Sequence, residues 1–182
     1  MKNKLQYIYQ NVSTKQVLIF FILFVLFTSL ALPFVSSYTT KVIGVSESPD
    51  TSFNFHLDHL FDIVDSYGER GRLFYVTMRW TFDIVWPLIY TVFLVSSIAY
   101  LARRSNCKFG YKPLYFPLLA VLFDFLENIN ATIIMLLYPK RIDFFGYMLI
   151  GSSIMKWAMI GISFGVVIIF FIRFIIVKDR SS

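Results

Sequence analysis

Five charged side chains lie inside long apolar stretches of this 182-residue chain, together with two neighbouring amides. They are Arg79, Asp83, Asp124, Glu127 and Lys156, with Asn128 and Asn130 beside them. Charge in hydrocarbon is costly, so such residues indicate either a functional site or a paired structural core. Adjacent carboxyl groups can bind a cation or exchange protons with a ligand. The sequence therefore predicts an intramembrane polar site in which Asp124 and Glu127 are the acid–base or cation-binding pair.

Helical periodicity gathers the polar residues of each stretch on one face. In the second apolar stretch, one face carries Arg72, Arg79, Asp83, Trp86, Tyr90 and Ser97. The third stretch aligns Asp124, Glu127 and Asn128, and the fourth aligns Ser152, Lys156 and Ser163. Three helices with one polar face each are expected to turn those faces toward a common interior. Trp86 and Tyr90 thereby join the predicted ligand-binding or proton-relay residues.

The charges of this cluster do not balance. Three carboxyl groups face only Arg79 and Lys156, unless Arg72 reaches inward from the rim. The sequence therefore predicts either a protonated carboxyl, with Glu127 or Asp124 favoured, or a bound cation. A second interpretation remains open, in which the charges only pair with one another and fix the packing of the helices.

The composition predicts a helical integral membrane protein. Apolar residues make up 57% of the chain and charged residues 15%, against roughly 45–50% and about 25% in soluble domains. Four apolar segments, at about 17–35, 73–101, 113–138 and 144–177, approach or exceed the ~20 residues that cross a bilayer. The predicted fold is an all-α, four-helix transmembrane bundle, with residues 1–182 forming one domain. A soluble enzyme is excluded.

The basic residues flank the apolar segments rather than forming one patch. They fall at the N-terminus, in the second connection and at the C-terminus: Lys2, Lys4, Lys15, Arg103, Arg104, Lys108, Lys112, Arg173, Lys178 and Arg180. The positive-inside rule then predicts a multi-pass protein of the plasma membrane with both termini cytoplasmic. The polar cluster lies at the midplane or in the outer half, so the site is predicted to open outward. The first segment is predicted to be a retained anchor, with a cleaved signal peptide as the alternative.

The outer connection, residues 36–72, is predicted to contain a loop followed by an amphipathic helix. Residues 39–51 are polar and include Gly44 and Pro49, which is typical of a loop. Residues 53–66 place apolar side chains on one helical stripe. Its polar side carries His56, His59 and Asp62 at a spacing of three, and these are candidate ligands for a divalent metal. The alternative for these three residues is a solvated helix face.

Three further features of the sequence are an SxxK pattern, a pair of glycines and a single cysteine. Ser153-Ile-Met-Lys156 matches SxxK, in which lysine activates a serine, but the companion motifs of that class are absent. Gly161 and Gly165 permit close helix approach, as in a homo-oligomer or a complex with a membrane partner. The single cysteine, Cys107, is predicted to be a reduced cytoplasmic thiol. No nucleotide-binding or nucleic-acid-binding motif is present, so neither a cofactor nor a nucleic-acid partner is predicted.

Two segments of the sequence resemble a pattern of small bacterial four-span membrane proteins. The resemblance rests on Gly71-Arg72-Leu-Phe-Tyr75, on Asp83, Pro87 and Tyr90, and on Asp124-Phe-Leu-Glu127-Asn128. It covers the second and third segments, roughly 70 residues of the chain. It implies that these two helices pair, and it implies no activity.

The leading functional prediction is an outward-opening intramembrane site that binds a lipid-like molecule or a small cation. In it Asp83 and Asn128 assist the acidic pair, and Arg79 with Lys156 either anchors an anionic head group or balances the acids. Transport, modification of a lipid and simple lipid binding all fit such a site, so catalysis is left open. The alternative is a non-catalytic accessory or assembly subunit whose polar cluster only fixes helix packing.

Overall fold

The computed structural model describes residues 2–45, 47–49, 52, 54–105 and 108–179. The predictions for Cys107 and Arg180 lie outside this range. The described residues form helices and connections, with no strand among them: α1 (Lys2–Asn11), α2 (Thr14–Leu26), a π-helical turn (Phe27–Ala31), α3 (Leu32–Ile43), α4 (Leu57–Ser66), α5 (Gly68–Arg104), a 3-10 turn (Lys112–Leu114), α6 (Tyr115–Leu137) and α7 (Asp143–Asp179).

Four helical segments are long and apolar enough to cross a membrane, as the sequence predicts. They are Thr14–Ile43, Gly68–Arg104, Lys112–Leu137 and Asp143–Ile176, and we call them the first to fourth spans. The first span is longer than predicted, because α2, the π-helical turn and α3 continue without a break. Residues 39–43 are therefore helical rather than loop. The helix ends at Gly44, whose φ of 80° lies in the left-handed region that favours glycine.

Helices α5, α6 and α7 form the core of the bundle, and the first span packs against α5. Neither α2 nor α3 contains a buried residue. The first span contacts α5 through aromatic rings: Phe24 stacks on Phe93, and Phe27 stacks on Phe82 and Trp86. The apolar stretch of this segment has no charged or amide side chain, and its Thr28 and Ser29 hydroxyls donate to carbonyl oxygens one turn earlier, so no polar group in it needs a partner in the core.

One end of the bundle is covered by α4. Its buried side chains Leu60, Phe61, Ile63 and Val64 pack with residues of α5, α6 and α7. Its aspartates, Asp58, Asp62 and Asp65, are exposed. The helix begins at Leu57, later than the predicted residue 53, and residues 54–56 are not helical. His56 therefore precedes the first turn instead of lying on the polar face.

The opposite end is covered by α1, which was predicted only as a basic N-terminus. Leu5 is buried in a cluster with Ile98, Leu114 and Phe170. Arg103 donates hydrogen bonds to the Tyr9 and Val12 carbonyl oxygens, the former at 3.2 Å. These bonds satisfy carbonyl groups at the end of α1, where no intrahelical donor is available. The short helix is thereby held against the end of α5.

We expect Gly146→Ala to loosen the packing between α4 and α7. A Cβ at Gly146 would overlap Leu57 Cδ1 and lie 3.6 Å from Leu60 Cδ2. Because the end of the Leu57 side chain must rotate away, we expect the lost packing to offset the helix propensity that alanine adds, so that the free energy of unfolding is unchanged or falls by about 1 kcal/mol in thermal unfolding in detergent. Gly151→Ala is the matched control, since its added Cβ would meet no neighbouring side chain within 4 Å. This control should gain about 0.5–1 kcal/mol from helix propensity, and equal behaviour of both variants would contradict the close contact.

Candidate functional site

Glu127 lies at the centre of a buried charge network. Its side chain is fully buried on α6, at 0% exposure. Its Oε1 lies 2.7 Å from Lys156 Nζ on α7 and 3.6 Å from Arg79 Nη1 on α5. One carboxylate thus joins the three core helices, as expected when three polar helix faces converge. An ion pair inside a bundle is stable only with such close partners, because each charge has lost its hydration.

Arg79 extends the network along α5. Its Nη1 lies 2.9 Å from Asp83 Oδ2 and donates to Asn128 Oδ1 at 3.1 Å. Its Nη2 donates to the Tyr75 hydroxyl, and its Cζ lies 4.6 Å from the centre of the Tyr75 ring. Tyr75 was not among the site residues predicted from the sequence. The signal was present in the spacing, since Tyr75, Arg79 and Asp83 are four residues apart on one helix.

Tyr90 and Asp124 form a second buried pair. The Tyr90 hydroxyl donates to Asp124 Oδ2 at 3.1 Å, and both residues are nearly inaccessible. Tyr90 packs in an apolar cluster with Leu94, Ala120 and Ile160. Trp86, which the sequence placed in the polar site, instead contacts the rings of Phe24, Phe27 and Tyr90. The predicted site residues are therefore divided between a charge network, a tyrosine–aspartate pair and an aromatic stack.

The charge imbalance predicted from the sequence persists in the structure. Asp83, Asp124 and Glu127 face Arg79 and Lys156 in the bundle interior. Arg72 does not join them, because its Cζ lies 4.4 Å from the centre of the Tyr138 ring at the α4 end. With all five groups ionised, this cluster carries one surplus negative charge.

A cavity of about 180 Å³ connects this network to the α4 end of the bundle. Its walls come mainly from α3 and α5. The polar lining includes Ser36, Thr39 and Thr40 on α3, and Arg79 and Asp83 on α5. Tyr67 and Tyr75 lie on the same surface, and Leu32, Val35, Met78 and Phe82 supply apolar area. Asp83 is the more accessible of the two charged groups, with a side chain 29% exposed against 4% for Arg79.

The acidic pair favoured by the sequence does not line this cavity. Asp124, Glu127, Asn128 and Lys156 are buried beyond its lining residues. Asp83 is the carboxylate that a molecule in the cavity would meet. Sequence periodicity placed all these residues on inward faces, but it could not show which of them borders an open volume.

The three candidate metal ligands do not form a metal site. Within the described ranges, no group of three or more His, Cys, Asp or Glu side chains is arranged to hold a metal ion. His59 Nε2 instead lies 2.9 Å from Glu47 Oε1, while His56 and Asp62 are exposed. Glu47 also accepts a hydrogen bond from Ser52 Oγ at 2.9 Å, and its carbonyl oxygen accepts one from Tyr67 at 2.8 Å. These contacts tie the connection between α3 and α4 to the bundle.

The titration of the Glu47 carboxyl measures these contacts. The hydrogen bond from His59, followed by that from Ser52, holds the pKa of the exposed Glu47 carboxyl below its ordinary value. The stabilisation that these hydrogen bonds contribute is therefore fully present above that ordinary pKa and is lost as the pH falls through the lowered pKa. We expect His59→Ala to raise the pKa of Glu47 toward its ordinary value in an NMR titration. An unchanged titration would contradict the contact, and His56→Ala should leave the curve where it is.

The glycine pair and the SxxK pattern both lie on α7. Gly161 is exposed, and an added Cβ at Gly161 or Gly165 would meet no neighbouring side chain within 4 Å. This face of α7 is thus open along both glycines. Ser153 is buried one turn before Lys156, whose Nζ binds Glu127.

Comparisons with known proteins return no relative for this chain. No family model, no curated protein sequence and no solved structure matches it. The resemblance to small bacterial four-span proteins accordingly stays a prediction, although α5 and α6, the two helices that it covers, do pack together.

Proposed function

We propose that this chain is a multi-pass membrane protein that binds a lipid-like molecule or a small cation in the cavity between α3 and α5. One observation carries the proposal: an open volume of about 180 Å³ reaches the Arg79–Asp83 ion pair inside the bundle. Charged groups border this volume, whereas the neighbouring grooves between the first span and α5 are lined by apolar side chains alone. Ligand sites in helical membrane proteins commonly combine apolar walls with a few convergent polar groups.

The distribution of charge supports a topology with the cavity on the outer side. Arg103, Arg104, Lys108 and Lys112 lie at the end of the bundle that α1 covers. The positive-inside rule assigns this end to the cytoplasm. The α4 end, to which the cavity extends, then faces outward, and α4 becomes the predicted extracytoplasmic amphipathic helix. We further propose the plasma membrane as the location.

The contacts of the first span support its retention as an anchor. Cleavage near the small residues Ser36 and Ser37 would separate Phe24 and Phe27 from their ring contacts on α5. It would also divide α3, which forms one wall of the cavity. A complete site thus needs the first span in place.

A second candidate function is the non-catalytic accessory subunit. It is favoured by the depth of the Glu127–Lys156 pair, which is buried away from the cavity, and by the open glycine face of α7. Removing both partners tests this candidate: if the pair only fixes packing, Glu127→Leu combined with Lys156→Leu should restore the stability that either change removes. Loss of a co-purifying molecule in this double variant would instead assign the pair to a ligand site.

Mass spectrometry of co-purifying lipids, amines and metals tests the leading proposal. We expect one molecule to be enriched with the wild-type protein and reduced about tenfold by Asp83→Asn, because a charge-assisted contact is lost. Ser36→Phe, which fills the cavity without changing its charge, should act in the same way. The exposed Asp62→Asn is the matched control and should retain the molecule. If neither Asp83→Asn nor Ser36→Phe changes what co-purifies, the cavity is not the site.

A further inference from the structure

We propose that the cavity selects a cationic amine head group, with the ammonium at Asp83 and the rest of an amphiphile between α3 and α5. This inference rests on the proposed function and names its ligand class. Three features of the described residues support it: the accessibility of the two charged groups, the sign of the surplus charge, and the chemistry of the walls.

The accessibility of the charged groups favours a cation over an anion. Arg79 is buried at 3% exposure, and its guanidinium already binds Tyr75, Asp83, Asn128 and Glu127. Lys156 binds Glu127 and does not line the cavity. An anionic ligand in the cavity would thus have to compete with Asp83 and Glu127 for the charge of Arg79. A cation meets Asp83, whose side chain is 29% exposed.

With its five groups ionised, the cluster carries one surplus negative charge, which has the sign that a cation neutralises, although the surplus carboxylate, Asp124, lies against Tyr90 and not at the cavity. Arg79 is shared between Asp83 and Glu127, so its single positive charge is divided between two carboxylates. Opposite charges attract strongly in an interior of low dielectric constant, so an added positive charge would share the Asp83 carboxylate with Arg79. An anion would instead raise the excess negative charge of the cluster.

The walls fit the remaining parts of an amine-bearing amphiphile. The rings of Tyr67 and Tyr75 lie edge to face with centres 5.5 Å apart on the cavity surface. Both rings are almost inaccessible and the Arg79 guanidinium already lies against Tyr75, so they form wall rather than an ammonium site. The hydroxyls of Ser36, Thr39 and Thr40 supply donors for a phosphate or ester, and Leu32, Val35 and Phe82 supply apolar area. A zwitterionic lipid such as phosphatidylethanolamine carries an ammonium group, a phosphate and apolar chains.

Lipid retention by the purified full chain tests the proposal. The protein is reconstituted in membranes with equal amounts of phosphatidylethanolamine and phosphatidylglycerol that carry the same acyl chains, and retained lipid is quantified by native mass spectrometry. We expect wild type to retain phosphatidylethanolamine about tenfold over phosphatidylglycerol, and Asp83→Asn to abolish this preference. Asp83→Glu should keep part of it, and Asp62→Asn all of it. Preference for phosphatidylglycerol, or a preference that survives Asp83→Asn, would overturn the proposal.

Two further experiments distinguish binding of the head group from binding of the whole lipid, and an error in the amine class from an error in the cavity site. Displacement of the lipid by millimolar ethanolamine would assign binding to the head group alone, whereas retention would assign it to the amphiphile; both outcomes support an amine site. Ser36→Phe keeps Asp83 and serves if Asp83→Asn does not fold. If Ser36→Phe removes bound phosphatidylglycerol, the cavity site stands and the amine class is wrong. If Ser36→Phe affects neither lipid, the proposed function fails as well.

Discussion

Glu127→Leu is expected to lower the free energy of unfolding by about 3–5 kcal/mol, the cost typical of removing one partner from a buried ion pair. The carboxylate of Glu127 is 0% exposed and bridges Lys156 at 2.7 Å and Arg79 at 3.6 Å. Without it, Lys156 remains in the interior with its charge no longer matched by this acid. The measurement is reversible unfolding in detergent, and the control is Glu69→Leu at the exposed start of α5, which should change little.

The double variant Glu127→Leu with Lys156→Leu makes this prediction specific. Removing both charges leaves Arg79 opposite Asp83, so the network is again locally balanced. Replacing a whole buried pair by apolar residues is often neutral or stabilising. We therefore expect the double variant to recover most of the stability that Glu127→Leu loses. A double variant whose loss of stability equals the sum of the two single-variant losses would contradict a direct pair, because the effects of coupled partners are not additive.

Arg79→Met is expected to have a comparable effect, a loss of about 3–5 kcal/mol. Arg79 is the junction between Asp83, Asn128 and Glu127, and its guanidinium also lies against Tyr75. Methionine fills similar space but leaves the acidic groups without their shared cation. Arg79→Lys should recover only part of the loss, because an ammonium group cannot reproduce the planar fork of donors.

Arg72→Met is the matched control for Arg79→Met. Arg72 lies on the same helix, and its Cζ is 4.4 Å from the centre of the Tyr138 ring at the end of the bundle. Losing this cation–π contact should cost about 0.5–1 kcal/mol. Similar losses for the two arginine variants in the same unfolding assay would show that burial of Arg79 contributes nothing. The double variant Arg79→Met with Asp83→Asn should be more stable than Arg79→Met, since it removes the cavity-side carboxylate that lost its arginine partner.

The prediction of four helices long and apolar enough to span a membrane is confirmed, because it depends on properties of single segments. A continuous apolar stretch must be helical in a membrane, since its backbone has no other source of hydrogen bonds. The prediction that Arg79, Glu127 and Lys156 meet succeeded for a related reason. Each was the polar exception on its own helix, and only a shared interior can stabilise such groups. Even the charge surplus was countable from residue types alone.

The bounds of the helices were predicted less well. The polar residues between Thr39 and Ile43 indicated a loop, yet the helix continues to Gly44, because polar residues can occupy a helix that has left the hydrocarbon. Helix α1 was missed because its anchoring depends on Arg103, more than ninety positions later in the chain. No local pattern reports a contact of that range.

The sequence by itself determined the all-helical fold, the four helices long and apolar enough to span a membrane and most of the polar residues that face the interior, because hydropathy and helical period are local properties. Only the tertiary structure decided how those residues are paired and which of them a ligand can reach. Glu127, favoured by its sequence context, is enclosed by Lys156 and Arg79, whereas Asp83 borders the cavity. That difference arises from the relative placement of α3, α5, α6 and α7, which depends on side-chain packing between helices distant in the chain.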